Sequence, residues 1–424
     1  MTDISIAAAS PGGRSTMFRS PPRLEDLGIG EAMVTDLFLK HAYIAGNSTL
    51  GSLAASLRLS VELVESVFRR LKAQQFIEVR GMHGDDFAFV LSHAGKTAAL
   101  ERMQISRYCG PAPVPISLYE AAVRSQVART KLNRRRLARM YEDLTLDNVL
   151  LEKLGPALVA QTSMFLYGPS GTGKSSLAER LLRVFDDRIA VPYAVEVDGS
   201  IISVFDPAVH RPVGTQRSED DPRWVFCSRP CIVAGGELVA EMLELQREPE
   251  TGTYSAPLHM KANNGIFVID DFGRQMIKPQ DLLNRWIVPL DRRTDFLTLN
   301  GTKFAIPFEV FVVFSTNLDP AELADEAFLR RIPNKILVDS ISADLFDDIV
   351  CRRLQANGWI AENSAAEHLR DVCAAQGGGL RPCYPRDIFR IIESIAEFEE
   401  RAPGLNVPDV DRAADLYFGK TMVR

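Results

Sequence analysis

Cysteine is scarce in this chain: six residues in 424, at Cys109, Cys227, Cys231, Cys351, Cys373 and Cys383. That density excludes a disulfide framework and fits a reducing cytoplasm. Cys227 and Cys231 lie close together, but no second Cys or His pair follows at metal-ligand spacing. They read as buried thiols, and no metal is assigned to cysteine. No run approaches the ~18 apolar residues needed to cross a bilayer. The opening MTDISIAAASPGGRST has no basic flank followed by a long apolar core, so a soluble, unexported chain without membrane insertion is expected. Compositional bias is absent too, which excludes collagen, mucin and coiled-coil rods.

What is present is ordinary globular material, 46% apolar and 25% charged. At about 150 residues per domain the length implies two or three domains. The net charge of -6 is unevenly spread. Residues 121–140 hold Arg124, Arg129, Lys131, Arg134, Arg135, Arg136 and Arg139 without an acid. Two readings of that stretch stay open: a nucleic-acid footprint, or a solvated helix joining two domains.

Residues 1–20 are rich in Ser, Gly, Ala and Pro and read as a flexible tail. From 21 to 110 the periods are helical: Glu31 to Ala45, Leu50 to Leu57, then a helix with Ser60 as N-cap and Glu62 in its first turn. Val64, Phe68 and Leu71 fall on the core face of that third helix. Two β-like runs follow, Phe76 to Arg80 and Phe87 to Leu91, around a turn-rich Gly81 to Asp86. This order, with LSHAGKTAALE behind it, resembles a winged-helix domain. Such a domain places its third helix in a DNA groove, with Arg69, Arg70 and Lys72 as contacts. Yet residues 21–110 carry ten basic and ten acidic side chains, and phosphate neutralisation dominates affinity for DNA. Docking of a protein partner therefore ranks above DNA reading. Gly110 to Pro115 reads as a stiff linker, and 111–140 as linker plus basic helix.

The strongest signal is Gly168-Pro169-Ser170-Gly171-Thr172-Gly173-Lys174-Ser175, a full match to G-x-x-x-x-G-K-[ST]. An apolar run, Met164 to Tyr167, leads in, and a helix-forming stretch, Ser176 to Phe185, leads out. Glycines let backbone N–H groups curl around phosphates, Lys174 supplies charge, and the Ser175 hydroxyl suits Mg²⁺. Gly168 through Ser176 are thus the expected nucleotide-binding residues. A second apolar strand, Gly265 to Ile269, ends in Asp270-Asp271, with Asp270 expected to hold Mg²⁺ alongside Ser175.

With these motifs the chain resembles the AAA+ ATPase superfamily. The resemblance implies Asp271 as the general base, one methylene shorter than the usual Glu. It implies Asn317, after the strand Val310 to Phe314, as sensor 1. Arg330 and Arg331 match the family's paired arginines, one of which is the finger entering a neighbouring subunit's site, and which one stays open. Arg386, in YPRDIFRIIESI, looks like sensor 2, with Arg381 as a nearby rival. The implied fold is α/β: a P-loop core with a parallel sheet over 141–340 and a helical lid over 341–424, preceded by the winged-helix-like domain. ATP and Mg²⁺ are the implied cofactors, and a homo-oligomeric ring, a hexamer by analogy, is the implied assembly.

Lys174 and Asp270 stand 96 residues apart, long for a minimal core of this family, so an insertion lies between them. Asp198-Gly199 and Asn300-Gly301 mark two hairpins, Val195 to Ile202 and Phe296 to Phe304. The second, before sensor 1, resembles the clade of MoxR-type ATPases, magnesium chelatase subunits and enhancer-binding proteins, although no GAFTGA-like loop is present. Within the insertion, from about Tyr193 to His259, His210, Asp220 and Asp221 read as solvated loop residues rather than a metal or catalytic set. The lone His41, His83, His93, His259 and His368 read likewise. Tyr254 is a candidate pore-loop aromatic.

The function these observations imply is an ATPase that remodels or assembles a macromolecular client. Two alternatives stand beside it: an ATP-switched DNA-binding regulator, and an ATP-binding assembly scaffold with little turnover, in which Asp271 is a weakened base.

Overall fold

The computed structural model describes residues 16–83, 86–128, 132–215, 217–362 and 364–419. The first fifteen residues of the expected tail, and Arg129 and Lys131 of the basic stretch, lie outside them.

Five short strands form a parallel sheet: β1 (Met164–Tyr167), β2 (Cys231–Ala234), β3 (Ile266–Ile269), β4 (Phe311–Thr316) and β5 (Asn334–Leu337), in the order β2-β3-β4-β1-β5. Alternate side chains along a strand point to opposite faces, and here both faces are covered. Met164, Leu166, Ile266, Val268, Phe311 and Val313 pack against the helices Arg134–Met140, Asn148–Ala160 and Lys174–Arg180. Phe165, Phe267, Ile269, Val312 and Phe314 pack on the other side with Leu282, Leu283 and Trp286 of the helix Pro279–Arg292. Burial on both faces is why these strands read as continuous apolar runs. The class is α/β, as expected.

Behind β5 come four helices, Ala343–Asn357, Ala365–Ala374, Cys383–Phe398 and Val407–Phe418, closed around Phe346, Val350, Leu369, Ile388, Ile392 and Val410. At the other end, helices Glu31–Ala45, Leu50–Leu57, Val61–Ala73 and His93–Ile105 surround a three-stranded antiparallel sheet. Its strands are Ser48–Thr49, Ile77–His83 and Asp86–Leu91. Ser60 caps the third helix by accepting from the Leu63 N–H, and Val64, Phe68 and Leu71 are buried. The first long strand runs further than expected, through Gly81 to His83, because a bulge after Val79 keeps it in register.

The insertion builds a second sheet, ordered Gln246–Arg247, Tyr254–Ser255, Ser200–Ser203, Ala194–Val197 and Val114–Pro115. Both expected hairpins form. Their turns, Asp198 (φ +47°) with Gly199 (φ +78°) and Asn300 (φ +50°) with Gly301 (φ +86°), have positive φ at both central residues, the geometry that matches strand twist.

Several expectations are corrected. The stretch from Gly110 to Pro115 is not a free spacer: Val114 and Pro115 pair with Val195 and Glu196, and the Ala112 N–H donates to the Leu57 carbonyl. The basic stretch is not one helix but Ile116–Ser125 and Arg134–Met140 separated by a break. Residues 16–20 do not belong to a loose tail. Phe18 is buried edge-on against Trp224 at 5.2 Å, and the Ser20 N–H donates to the Glu219 carbonyl. The expected helix over 176–185 tightens into a 3₁₀ turn at Leu181–Val184. Among the described residues, no helix is long and apolar enough to cross a membrane.

Candidate functional site

β1 delivers the chain into the loop Gly168 to Gly173, which bends back into the helix beginning at Lys174. Gly171 is required twice over. Its φ is +80°, and a Cβ there would stand 2.5 Å from Cys383 Sγ, so the lid helix sits directly on the loop. Lys174 Nζ donates to the carbonyls of Gly168 and Pro169, each at 2.8 Å. Burial pushes the Lys174 ammonium pKa down, the Asp270 and Asp271 carboxylates oppose that, and Arg381 adds to it.

β3 ends at Asp270, whose Oδ1 accepts from Ser175 Oγ at 3.1 Å. The next residue, Asp271, turns into the left-handed region at φ +50° and lines the same cleft. β4 ends beside it, where Thr316 Oγ1 donates to the Phe272 carbonyl at 2.7 Å and Asn317 faces the opening.

These ends frame a cleft of about 700 Å³. Ser170 to Ser176, Asp271, Ser315 and Asn317 line it together with Pro382, Cys383 and Arg386 of the lid. Arg386 thus reaches the cleft, while its rival Arg381 is turned onto the loop, donating to the Ser170 carbonyl at 3.1 Å. The paired arginines lie elsewhere and differ. Arg330 is 75% exposed and bonded to Glu326 at 2.7 Å. Arg331 is 25% exposed, faces Asp291 and donates to the Ala327 carbonyl.

Sequence reasoning missed the far end of the cleft, formed by Leu144, Leu146, Ile349 and Ala356 with Arg352 and Arg353. A signal existed, since 349, 352, 353 and 356 recur at i, i+3, i+4, i+7 on one helix face. The segment bearing Leu144 carries no motif. It is anchored by Asp143, which accepts from Arg180 and Arg183.

The insertion overturns the reading of its polar residues as solvated. His210, Asp220, Asp221 and His259 are all buried. His210 Nδ1 accepts from the Asp206 N–H and its other nitrogen lies 2.9 Å from the Lys261 carbonyl, which holds the ring as the neutral Nε2–H form. Burial lowers its pKa accordingly. Asp221 pairs with Arg223 at 2.8 Å, and Arg223 also donates to the carbonyls of Leu27 and Pro113. His259 Nε2 lies 2.8 Å from Asp295 Oδ2. Tyr254 is no free loop aromatic: it sits in a strand, and its hydroxyl bonds Asn300 Oδ1 at 2.8 Å. His41 is half-buried against the Gly110 carbonyl, and His368 pairs with Asp411. Among the described residues no cluster of His, Cys, Asp and Glu could hold a metal ion.

Residues 342–416, the helical region behind β5, match a family described as "Domain of unknown function (DUF8689)". No curated protein matches the chain. Among solved structures, it is similar to the RuvB Holliday junction branch migration motor of Thermotoga maritima, at 13% identity and a TM-score of 0.36, covering 69% of this chain and 72% of that one. It is also similar to NtrX of Brucella abortus in complex with ADP, at 13% identity and a TM-score of 0.41, covering 75% of this chain and 65% of that one. Both scores are below 0.5, and the reading of the site rests on this chain's own residues.

Proposed function

We propose that the chain is an AAA+ ATPase that hydrolyses ATP at interfaces between copies of itself in a ring, a hexamer by family resemblance, to remodel or assemble a macromolecular client. The observation that carries this reading is the 3.1 Å contact between Ser175 Oγ and Asp270 Oδ1. It brings a P-loop hydroxyl and a strand-end carboxylate together at the mouth of a cleft large enough for a nucleotide.

The two groups are hard oxygen donors and fit Mg²⁺, which when bound would neutralise charge building on the phosphate oxygens. Lys174 exchanges its two loop carbonyls for phosphate oxygens, and the amides of 168–176 cradle the chain of phosphates. Asp271 takes the proton of the attacking water, and Asn317 orients that water. Arg386 meets the phosphates from the lid wall. Leu144, Leu146, Ile349 and Ala356 give the adenine ring of ATP an apolar seat. Arg330 of a second copy is the finger, because its guanidinium is exposed whereas Arg331 is packed against Asp291.

The divisions that fit this reading are a winged-helix-like domain over 21–110, a connector over 111–140, the ATPase core over 141–340 and the lid over 341–424. The winged-helix-like domain docks protein rather than DNA. Two of its three expected phosphate contacts are occupied within the chain: Arg69 bonds Glu65 at 2.7 Å, and Arg70 is held by Glu31 and Thr35.

The test is the specific rate of ATP hydrolysis against protein concentration, for wild type beside Lys174→Ala. Activity per chain that rises with concentration and vanishes in the variant supports the shared site. Wild type that binds ATP and does not turn it over at any concentration overturns the motor and favours the scaffold.

A further inference from the structure

A groove of about 520 Å³ lies between the lid helices Ala343–Asn357 and Cys383–Phe398, lined by Arg353, Arg386, Arg390, Asp387 and Glu393 among others. It adjoins the nucleotide cleft, since Arg353 and Arg386 line both. Asp387 is already engaged, accepting from Arg386 at 2.9 Å and from the Tyr417 hydroxyl. The groove therefore keeps a net positive charge next to a site built for phosphates.

The exposed Arg330 sits at the end of an acidic turn. Asp319, Glu322, Asp325 and Glu326 are all exposed around it, and Leu323 and Phe328 are buried beneath as anchors. Glu326 holds Arg330 at 2.7 Å. If Arg330 is to reach a neighbour's phosphates, it must let go of Glu326. That carboxylate would then stand beside a polyphosphate, a like-charge contact that weakens association. A cation has to meet it.

We propose that the basic lid groove receives the acidic turn 319–326 of a second copy. Glu326 changes partner, from Arg330 of its own chain to Arg390 and Arg353 of the neighbour, as Arg330 enters the cleft. The exchange keeps every charge compensated and admits only a copy seated in the register that completes the site. This inference rests on the shared-site reading above.

The test is a charge swap in the full chain with ATP and Mg²⁺, using Arg390→Glu, Glu326→Arg and the double variant that carries both. Association is followed by sedimentation velocity, and ATP hydrolysis is followed against protein concentration. Arg390 does not line the nucleotide cleft, so Arg390→Glu binds nucleotide like wild type. Each single variant is expected to need roughly tenfold more protein to assemble, the size of one close ion pair at an interface. In the double variant the acid and the base exchange places, so every boundary between copies carries the reversed pair. Restoration of its assembly to within about threefold of wild type supports the docking. Single variants that assemble like wild type, or a double variant whose losses add, overturn it while leaving the shared site standing. Wild type that stays monomeric with ATP, at a rate per chain independent of concentration, overturns both.

Discussion

The Ser175 hydroxyl lies 3.1 Å from the Asp270 carboxylate although 95 residues separate them. A serine in the first turn of one helix and an aspartate at the end of β3 meet because β1 and β3 flank β4 in one parallel sheet and release their chains at the same edge. The loop, the two aspartates and Asn317 are thereby gathered without any of them being sequence neighbours of the others beyond 270 and 271.

Lys174→Ala should abolish ATP hydrolysis, by about 10²-fold or more, and weaken nucleotide binding. Lys174 is buried and its ammonium donates to the loop carbonyls of Gly168 and Pro169, in the curve where the phosphates would lie. Binding of a fluorescent ATP analogue and phosphate release check the two effects separately. A variant that hydrolyses normally would remove the cleft from the mechanism.

The two adjacent arginines should part company. Arg330→Ala is expected to keep nucleotide binding and thermal stability while losing hydrolysis by ~10³-fold, the worth of a finger in phosphoryl transfer. Arg331→Ala instead removes a side chain that is three-quarters buried and bonded to the Ala327 carbonyl, so its mark is a lowered Tm. Melting curves beside turnover numbers decide the assignment, and equal turnover losses without a Tm difference would contradict it.

That the loop 168–175 and the strand-end acids meet at one cleft was legible from the chain alone because the pattern is local: glycines, a lysine and a serine in eight consecutive positions, then acids at a strand end. Asp198-Gly199 and Asn300-Gly301 were legible for the same reason, each turn being set by two residues. The rest of the insertion was not. Asp221 and Arg223 look like solvated loop residues in any window around them, and their burial comes from the Leu27 and Pro113 carbonyls, 196 and 110 positions away from Arg223. Phe18 likewise sits in a stretch of small residues and is ordered by Trp224, which local composition does not register.

That long-range tie makes its own prediction. Arg223 is 1% exposed and binds a carboxylate that is 2% exposed, so Arg223→Ala takes the guanidinium away from a buried acid and costs about 3 to 5 kcal/mol. It also releases the Leu27 and Pro113 carbonyls, loosening the N-terminal helices from the insertion. Limited proteolysis should then cut between the helical region before residue 112 and the core, at protease levels that spare wild type. Loss of stability without new cleavage would mean that the pair braces the insertion alone.

The base of the second hairpin carries an acid-sensitive clamp. Burial works to raise the Asp295 carboxyl, but the His259 imidazole 2.8 Å away and the hydrogen bonds from Arg285 outweigh it and bring its pKa down from the usual 3.8 to about 2. A carboxyl with a lower pKa folded than unfolded adds stability above its unfolded pKa and loses it as pH falls toward the folded one, here about 2 kcal/mol in full. Asp295→Asn keeps the shape and removes the charge, so it is less stable than wild type at neutral pH. The gap between the two should narrow as pH drops from about 5 toward 3, because protonation does to wild type what the substitution has already done. Urea unfolding of both proteins across that range reads the gap directly, with other carboxylates cancelling in the difference. A gap that stays constant would show that Asp295 holds the hairpin by packing and not by its charge.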